Sequence, residues 1–285
     1  MDHFYLITNQ TKDHDFVVTG QIKAYLEGHG KSCSVRGEGT HSANYRFTNP
    51  DKIPPDTECI LVLGGDGTLL QAARDVVNLQ IPLLGINLGT LGYLAEIDMK
   101  SLYLALDHLI SDEYEIERRM MLTGCVYRDG VRIAGDIALN DIVITREGGL
   151  RVVRFNNFVN GEFLNSYHAD GIIVSTPTGS TGYSLSAGGP IISPSASLMV
   201  MTPLAPHTLN TRSIVFPSED VIEVEVGMGR DGNTEHGMAY FDGDTSVPMV
   251  TGDRIVIKKA KKDTLIVKIS NISFLETLRK KMANI

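Results

Sequence analysis

Cysteine is scarce in this chain: Cys33, Cys59 and Cys125 are scattered and odd in number among 285 residues. Such a set does not suggest a disulfide framework, so the thiols read as reduced and the protein as cytoplasmic. No Cys/His spacing suggests zinc, and no metal ligand is assigned from the protein. Positive charge is also short, with 26 Lys and Arg against 34 Asp and Glu, a net charge of −8. Broad nucleic-acid binding depends on a basic surface, so nucleic acid is excluded as a partner. No apolar run approaches the ~18 residues that a membrane span needs. Met1-Asp2-His3-Phe4 lacks the basic region and apolar core of a signal peptide, so no membrane partner is expected either. A Gly-x-x-x-x-Gly-Lys-Ser/Thr motif is missing, which excludes a P-loop kinase. What remains is a chain of ordinary apolar content, 42%, long enough for two domains with their own cores.

The most informative stretch is Ile60-Leu61-Val62-Leu63-Gly64-Gly65-Asp66-Gly67-Thr68-Leu69-Leu70. Its apolar run is short and does not alternate, as in a parallel strand buried on both faces. Three glycines let the backbone turn tightly and come close to a ligand. Thr68 then opens a helical pattern through Leu69, Leu70, Ala72, Ala73, Val76 and Val77. A helix N-terminus after a buried strand suits phosphate. Asp66 would repel phosphate, so its partner is a hydroxyl or a metal ion. A bare Gly-Asp-Gly also fits an ordinary turn, but Gly-Gly-Asp-Gly-Thr recurs in several kinase families.

Around this stretch the chain predicts an α/β domain over residues 1–113. Its elements are a strand at Phe4–Ile7, a helix from about Asp13 to Glu27 with Phe16 and Val17 on its apolar side, strand 60–63, and strand 82–86. A long loop spans 36–56, and a helix capped by Ser101 runs to about Ile110. Alternating strands and helices imply a parallel sheet with ligands at the carboxyl ends of its strands. From Tyr114 to Ile269 short alternating segments and turn signals such as Asp129-Gly130 and Asn160-Gly161 predict an all-β domain of layered sheets. Residues 270–285 revert to a helix opened by a Ser273/Glu276 capping box, which can pack back onto the first domain.

Three further stretches carry chemistry. Gly85-Ile86-Asn87-Leu88-Gly89-Thr90-Leu91-Gly92-Tyr93 follows a strand, so it lies beside the Asp66 turn on the same sheet edge. Tyr93 there is either a core aromatic or a platform for a base. Asn140-Asp141 offers an amide beside a carboxylate, able to grip a ribose diol or a base edge, though a β-turn also accounts for the pair. Asp170 to Pro190 is an apolar strand running into Ser, Thr, Gly and Pro; with Ile191-Ile192 directly behind, it reads as backbone approaching a flat polar ligand rather than as a linker. Gly227-Met228-Gly229-Arg230-Asp231-Gly232 mimics a dinucleotide fingerprint, but no helix follows and the setting is all-β, so it reads as a hairpin loop.

Taken in order, these stretches resemble the NAD kinase family over about residues 60–245. The match rests on Gly-Gly-Asp-Gly-Thr, the Gly-rich aromatic segment, Asn140-Asp141, and Thr176-Pro177-Thr178-Gly179-Ser180-Thr181-Gly182-Tyr183 ending in Ser186-Ala187-Gly188-Gly189-Pro190. Pro203 to Leu209 and Phe241-Asp242-Gly243 also look like family segments. The resemblance implies an α/β N-terminal domain, a β-sandwich-like C-terminal domain and an interdomain site. It further implies phosphorylation of the adenosine-side 2′-hydroxyl of NAD by ATP or polyphosphate, a divalent cation such as Mg²⁺, and a homodimer or homotetramer. By position, Asp66 matches the proton acceptor with Gly67 beside it, and Tyr93 the aromatic near the adenine. Asn140 and Asp141 match an Asn-Glu pair that holds NAD. Arg151 falls on a binding position, and His168 and Asp170 on a basic-x-acidic pair. Thr181, Gly182, Tyr183, Ser184, Leu185 and Ser186 match the segment that wraps the dinucleotide. Asp141 departs from the family's Glu, Gly182 from its Ala, His168 from a frequent Arg, and Asp244 from a frequent Gln. A lipid kinase sharing Gly-Gly-Asp-Gly-Thr and a non-catalytic dinucleotide sensor are the rival readings.

Overall fold

The computed structural model describes residues 1–37, 47–89, 92–95, 97–148, 152–208, 211–229, 232–269 and 273–282. In chain order come β1 (His3–Thr8), α1 (Val17–Gly28), β2 (Ser32–Val35), β3 (Cys59–Gly64), α2 (Asp66–Val76), β4 (Leu83–Asn87), α3 (Leu102–Ile110) and β5 (Glu115–Arg119). Then follow β6 (Leu122–Arg128), β7 (Val131–Ala138), β8 (Asp141–Arg146), β9 (Val153–Val159), β10 (Glu162–Ala169), β11 (Gly171–Ser175) and the short α4 (Tyr183–Ser186). The chain continues through β12 (Leu198–Leu204), β13 (Ile214–Pro217), β14 (Ile222–Val226), β15 (His236–Phe241), β16 (Thr245–Val250), β17 (Arg254–Lys259), β18 (Thr264–Lys268) and α5 (Phe274–Met282).

The chain divides into two compact units, residues 1–118 with 264–285, and residues 119–263. In the first, six strands lie in the order β2-β1-β3-β4-β18-β5, and the printed pairings from β2 through β18 are parallel. β3 and β4 are buried along their whole length, which is why their sequences show no alternation. α2 buries Leu69, Ala72, Ala73 and Val76, one face at helical spacing. Leu6, Leu61, Leu63, Leu84, Ile86, Ile22, Leu26, Leu102 and Leu106 belong to one core.

The expected boundaries at 114 and 270 differ from those of the units. β18 hydrogen-bonds beside β4, with Ile266 opposite Leu83, and Lys268 Nζ meets Glu117 at 3.0 Å. An alternating strand looks the same in either sheet, so pattern alone assigned it to the wrong half. α1 starts later than expected, because Asp15 and Phe16 take left-handed φ of 57° and 55°; Phe16 and Val17 are exposed. β2 is too short and polar to have been anticipated. Of the loop 36–56, residues 38–46 lie outside the described residues; Asn49 caps a single 3-10 turn at Pro50–Lys52. Ser101 does not cap α3 with its hydroxyl; Asp98 instead accepts the Ser101 N–H at 2.9 Å. At α5 only half of the capping box forms: Ser273 Oγ accepts the Glu276 N–H at 3.2 Å, while the Glu276 carboxylate pairs with Lys280 at 2.9 Å.

The second unit holds two sheets of six strands, β10-β9-β14-β17-β6-β7 and β13-β12-β11-β8-β15-β16, whose printed pairings are all antiparallel. Both contribute to one core, with Val126, Phe155, Val224 and Ile255 from the first and Ile144, Ile172, Met201 and Phe241 from the second. This is a β-sandwich. Strands β6, β9 and β14 alternate buried with half-buried residues, as one covered face requires. β11 and β12 do not, because α4 packs against β11 and Ser184 Oγ lies 3.2 Å from Thr202 Oγ1 of β12, and β8 is buried from Asp141 to Ile144. The stretch 227–235 joins β14 of one sheet to β15 of the other, so it is an inter-sheet connection and not the expected hairpin. Residues 230 and 231 lie outside the described residues. Among the described residues no helix is long and apolar enough to cross a membrane.

Candidate active site

At the carboxyl edge of the first sheet, α2 begins at Asp66, two residues before the expected Thr68. None of Gly64, Gly65 and Gly67 takes a positive φ; their role is space. A Cβ on Gly64 would strike the Thr68 side chain, and one on Gly65 would lie 2.9 Å from Lys12 Nζ. A Cβ on Gly67 would meet nothing within 4 Å, so that position stays open. Asn9, just beyond β1, donates from Nδ2 to Thr68 Oγ1 at 3.1 Å and fixes the hydroxyl.

The Asp66 carboxylate is held by the second glycine-rich stretch. Oδ2 accepts the N–H of Tyr93 at 2.8 Å, and Oδ1 accepts those of Leu94 at 3.2 Å and Ala95 at 3.1 Å. With two lone pairs per oxygen, Oδ2 keeps one for a further donor. Gly92 has no side chain because Asp66 fills the place where its Cβ would stand. The Tyr93 ring is half-buried, and the Lys281 ammonium of α5 lies 4.5 Å from its centroid, a cation–π contact. Asn9, Lys12, Arg36, Thr48, Gly67 and Gln71 are among the residues lining a pocket of about 570 Å³ that reaches Asp66. Gln71 Nε2 there is buried without a hydrogen-bond partner. The N–H groups of Asp66 and Gly67, ahead of the Thr68 N–H that donates to the Gly65 carbonyl at 3.0 Å, give this pocket anion-binding character, and Lys12 adds a cation.

In the second unit a pocket of about 400 Å³ is lined by Asn140, Asp141, Val143, Thr145, Tyr183, Tyr240, Asp242 and Gly243. It opens where Leu139 and Asn140 separate β7 from β8. Burial, reinforced by the nearby charge of Asp242, pushes the Asp141 carboxyl up to about 7. Asn140 Oδ1 is buried and has no partner. Gly182 backs this pair: a Cβ there would sit 3.5 Å from Asn140 Nδ2 and 3.8 Å from Asp141 Oδ2.

The other predicted residues do not line that pocket. Thr181 Oγ1 donates to the Thr178 carbonyl at 3.3 Å, Ser184 is buried beside Thr202, and Leu185 and Ser186 are exposed. His168 is exposed on β10, and Asp170 is ion-paired with Arg146 at 2.6 Å. Arg151 lies outside the described residues. Sequence reasoning missed Asn9, Lys12 and Gln71, whose only signal is a position near the carboxyl end of a strand or one turn into α2. It gave no role to Asp242, whose signal is an Asp-Gly turn. Among the described residues no group of three His, Cys, Asp or Glu side chains can hold a metal ion.

Residues 11–114 match the model of the ATP-NAD kinase N-terminal domain and residues 139–269 that of the ATP-NAD kinase C-terminal domain. The chain is 48% identical to an NAD kinase of Lachnospira eligens, over 99% of this chain and 100% of that one. It is also 48% identical to an NAD kinase of Agathobacter rectalis, over 100% and 99% of the two chains. Two solved structures share the fold. Yeast NADH kinase complexed with NADH superposes with a TM-score of 0.81 at 24% identity, over 99% of this chain and 88% of that one. An NAD kinase from Archaeoglobus fulgidus in complex with ATP superposes with 0.77 at 22% identity, over 99% of each chain.

Proposed function

The chain belongs to the NAD kinase family, and from that premise we infer that it moves the terminal phosphoryl group of ATP onto the 2′-hydroxyl of the adenosine ribose of NAD, with Asp66 as proton acceptor. The observation that carries the role of Asp66 is its triple N–H cradle, which orients the carboxylate and leaves one lone pair of Oδ2 open. Phosphoryl transfer needs in-line positioning and charge neutralisation more than covalent help. The 2′-hydroxyl donates to Oδ2, attacks the γ-phosphorus and gives its proton to the carboxylate, while ADP leaves. Lys12 and the main-chain N–H groups of Gly65, Asp66 and Gly67 offset the charge of the triphosphate. A divalent cation such as Mg²⁺ would belong to the ATP substrate and would supply further neutralisation of the phosphate charge.

Asn140 and Asp141 hold the dinucleotide through a ribose diol, and Tyr93 supplies a stacking face. His168, Asp170, Arg151 and residues Thr181 to Ser186 supply the further dinucleotide contacts. The protein works in the cytoplasm as a homodimer or homotetramer. None of the three cysteines is in a disulfide, which suits a reducing compartment.

The test uses purified protein with ATP, Mg²⁺ and NAD, with NADP read as NADPH absorbance through an NADP-specific dehydrogenase. NADP should accumulate in proportion to ATP consumed. Binding of NAD without turnover would make the protein a sensor, and turnover of a lipid alcohol alone would make it a lipid kinase. Either result overturns the reading.

A further inference from the structure

We propose that Asp242 is a positioning residue for the dinucleotide: its carboxylate clamps the main chain of Leu139 to Asp141 and so aims the Asn140 amide and the Asp141 carboxyl into one pocket. This rests on the reading that those two residues hold NAD.

Three consecutive N–H groups converge on the one carboxylate. Oδ2 accepts from Leu139 at 2.8 Å; Oδ1 accepts from Asn140 at 2.8 Å and from Asp141 at 3.2 Å. Consecutive N–H groups point to opposite sides of an extended strand. Their convergence therefore requires the chain to leave β geometry, as it does between β7 and β8. Asp242 is held in turn. It opens the turn from β15 to β16 with φ of 50°, followed by Gly243 at 71°, and its own N–H donates to the Asp141 carbonyl at 3.0 Å. Two successive left-handed residues make the tight hairpin that brings the carboxylate across the break. The clamp leaves hydrogen-bonding capacity unspent: Asn140, which lines the pocket, has its Oδ1 buried without a partner, and Ser175 Oγ, opposite Asp141 in register, is likewise unpartnered.

Asp242 also acts by its charge. Asp141 is faced by Asp242 from the β15–β16 turn, Tyr240 from β15 and Tyr183 from α4, with Ser175 opposite it on β11. Among the described residues no Lys, Arg or His lines the pocket. Burial first, and the Asp242 carboxylate second, raise the Asp141 carboxyl to about 7. Below that pH Asp141 is neutral; above it, the ionised group accepts both hydroxyls of a diol. The grip on NAD therefore strengthens as pH rises through about 7, and removing the Asp242 charge moves this rise to lower pH.

The experiment measures kcat and KM for NAD and ATP on the full chain across pH, for the wild type, Asp242→Asn and Asp141→Asn. Asp242→Asn should raise KM for NAD on the order of ten- to a hundredfold, leave KM for ATP unchanged and shift the inflection in kcat/KM for NAD to lower pH. Asp141→Asn should weaken NAD and abolish the inflection. An Asp242→Asn enzyme with wild-type KM for NAD and an unmoved inflection overturns the positioning role. An Asp141→Asn enzyme that binds NAD normally overturns instead the underlying assignment of Asp141 to NAD. Should Asp242→Asn fail to fold, carboxyl ¹³C NMR of the wild type decides. An Asp141 resonance that titrates near 7 and responds to NAD supports the proposal; one titrating in the ordinary carboxylate range, or indifferent to NAD, overturns it.

Discussion

The main-chain N–H of Tyr93 donates to Oδ2 of Asp66 at 2.8 Å, across 27 positions of sequence. The contact joins the loops that follow two neighbouring strands, β3 and β4. It turns the acid at the head of α2 from a mobile side chain into an oriented one, and it ties the aromatic to that acid through the backbone.

Replacing Asp66 by Asn keeps the shape and removes the proton acceptor. The expected outcome is a fall in kcat of about 10²–10⁴, with a much smaller change in NAD binding. Steady-state kinetics together with titration of NAD by calorimetry checks both halves. Near-normal turnover would remove Asp66 from the chemical step.

Gly92→Ala tests the cradle without touching the acid. The new Cβ would coincide with the Asp66 carboxylate and drive it from its three donors. Displacement of a reacting group by about 1 Å can cost on the order of a hundredfold in rate, while overpacking costs about 1–3 kcal/mol in stability. A kcat loss with a Tm only modestly lowered is expected.

Lys12→Ala removes the ammonium that lies beside Gly65. A charge-assisted contact to phosphate makes the expected effect about a tenfold rise in KM for ATP, with KM for NAD unchanged. Initial rates with each substrate varied in turn separate the two. An equal rise in both constants would place Lys12 elsewhere in the reaction.

Asp13 offers a test of pH-linked stability away from the chemistry. Its carboxylate accepts the N–H groups of Val18 and Thr19, each at 2.9 Å, and the Thr19 hydroxyl at 2.6 Å. Burial pushes its pKa upward, but these bonds outweigh burial and hold it below the ordinary value. A depressed carboxyl stabilises the fold fully above its unfolded value, near 3.9, and loses that contribution as pH falls through the folded value. Asp13→Ala should therefore cost about 0.5–2 kcal/mol at neutral pH and progressively less in acid. Urea unfolding at neutral pH and below pH ~3 checks it; a gap that widens in acid would contradict the assignment.

Local pattern carried the two-part architecture. Unbroken apolar runs gave β3 and β4, Leu69, Ala72, Ala73 and Val76 gave the buried face of α2, and alternation gave β6, β9 and β14. It also placed a lone carboxylate among glycines at a strand end, because a glycine turn between a buried strand and a helix brings main-chain N–H groups close to a ligand. The sequence by itself thus determined these elements, the class of each half and the position of the acid. Only the tertiary structure decided that β18 joins the first sheet, that Asp66 is gripped by residues 93–95, and that Asp242 folds the chain at 139–141. Periodicity records whether a residue is buried within its own element. It carries no record of which distant donor meets a given oxygen, and that choice is made by the packing of whole strands and the turns between them.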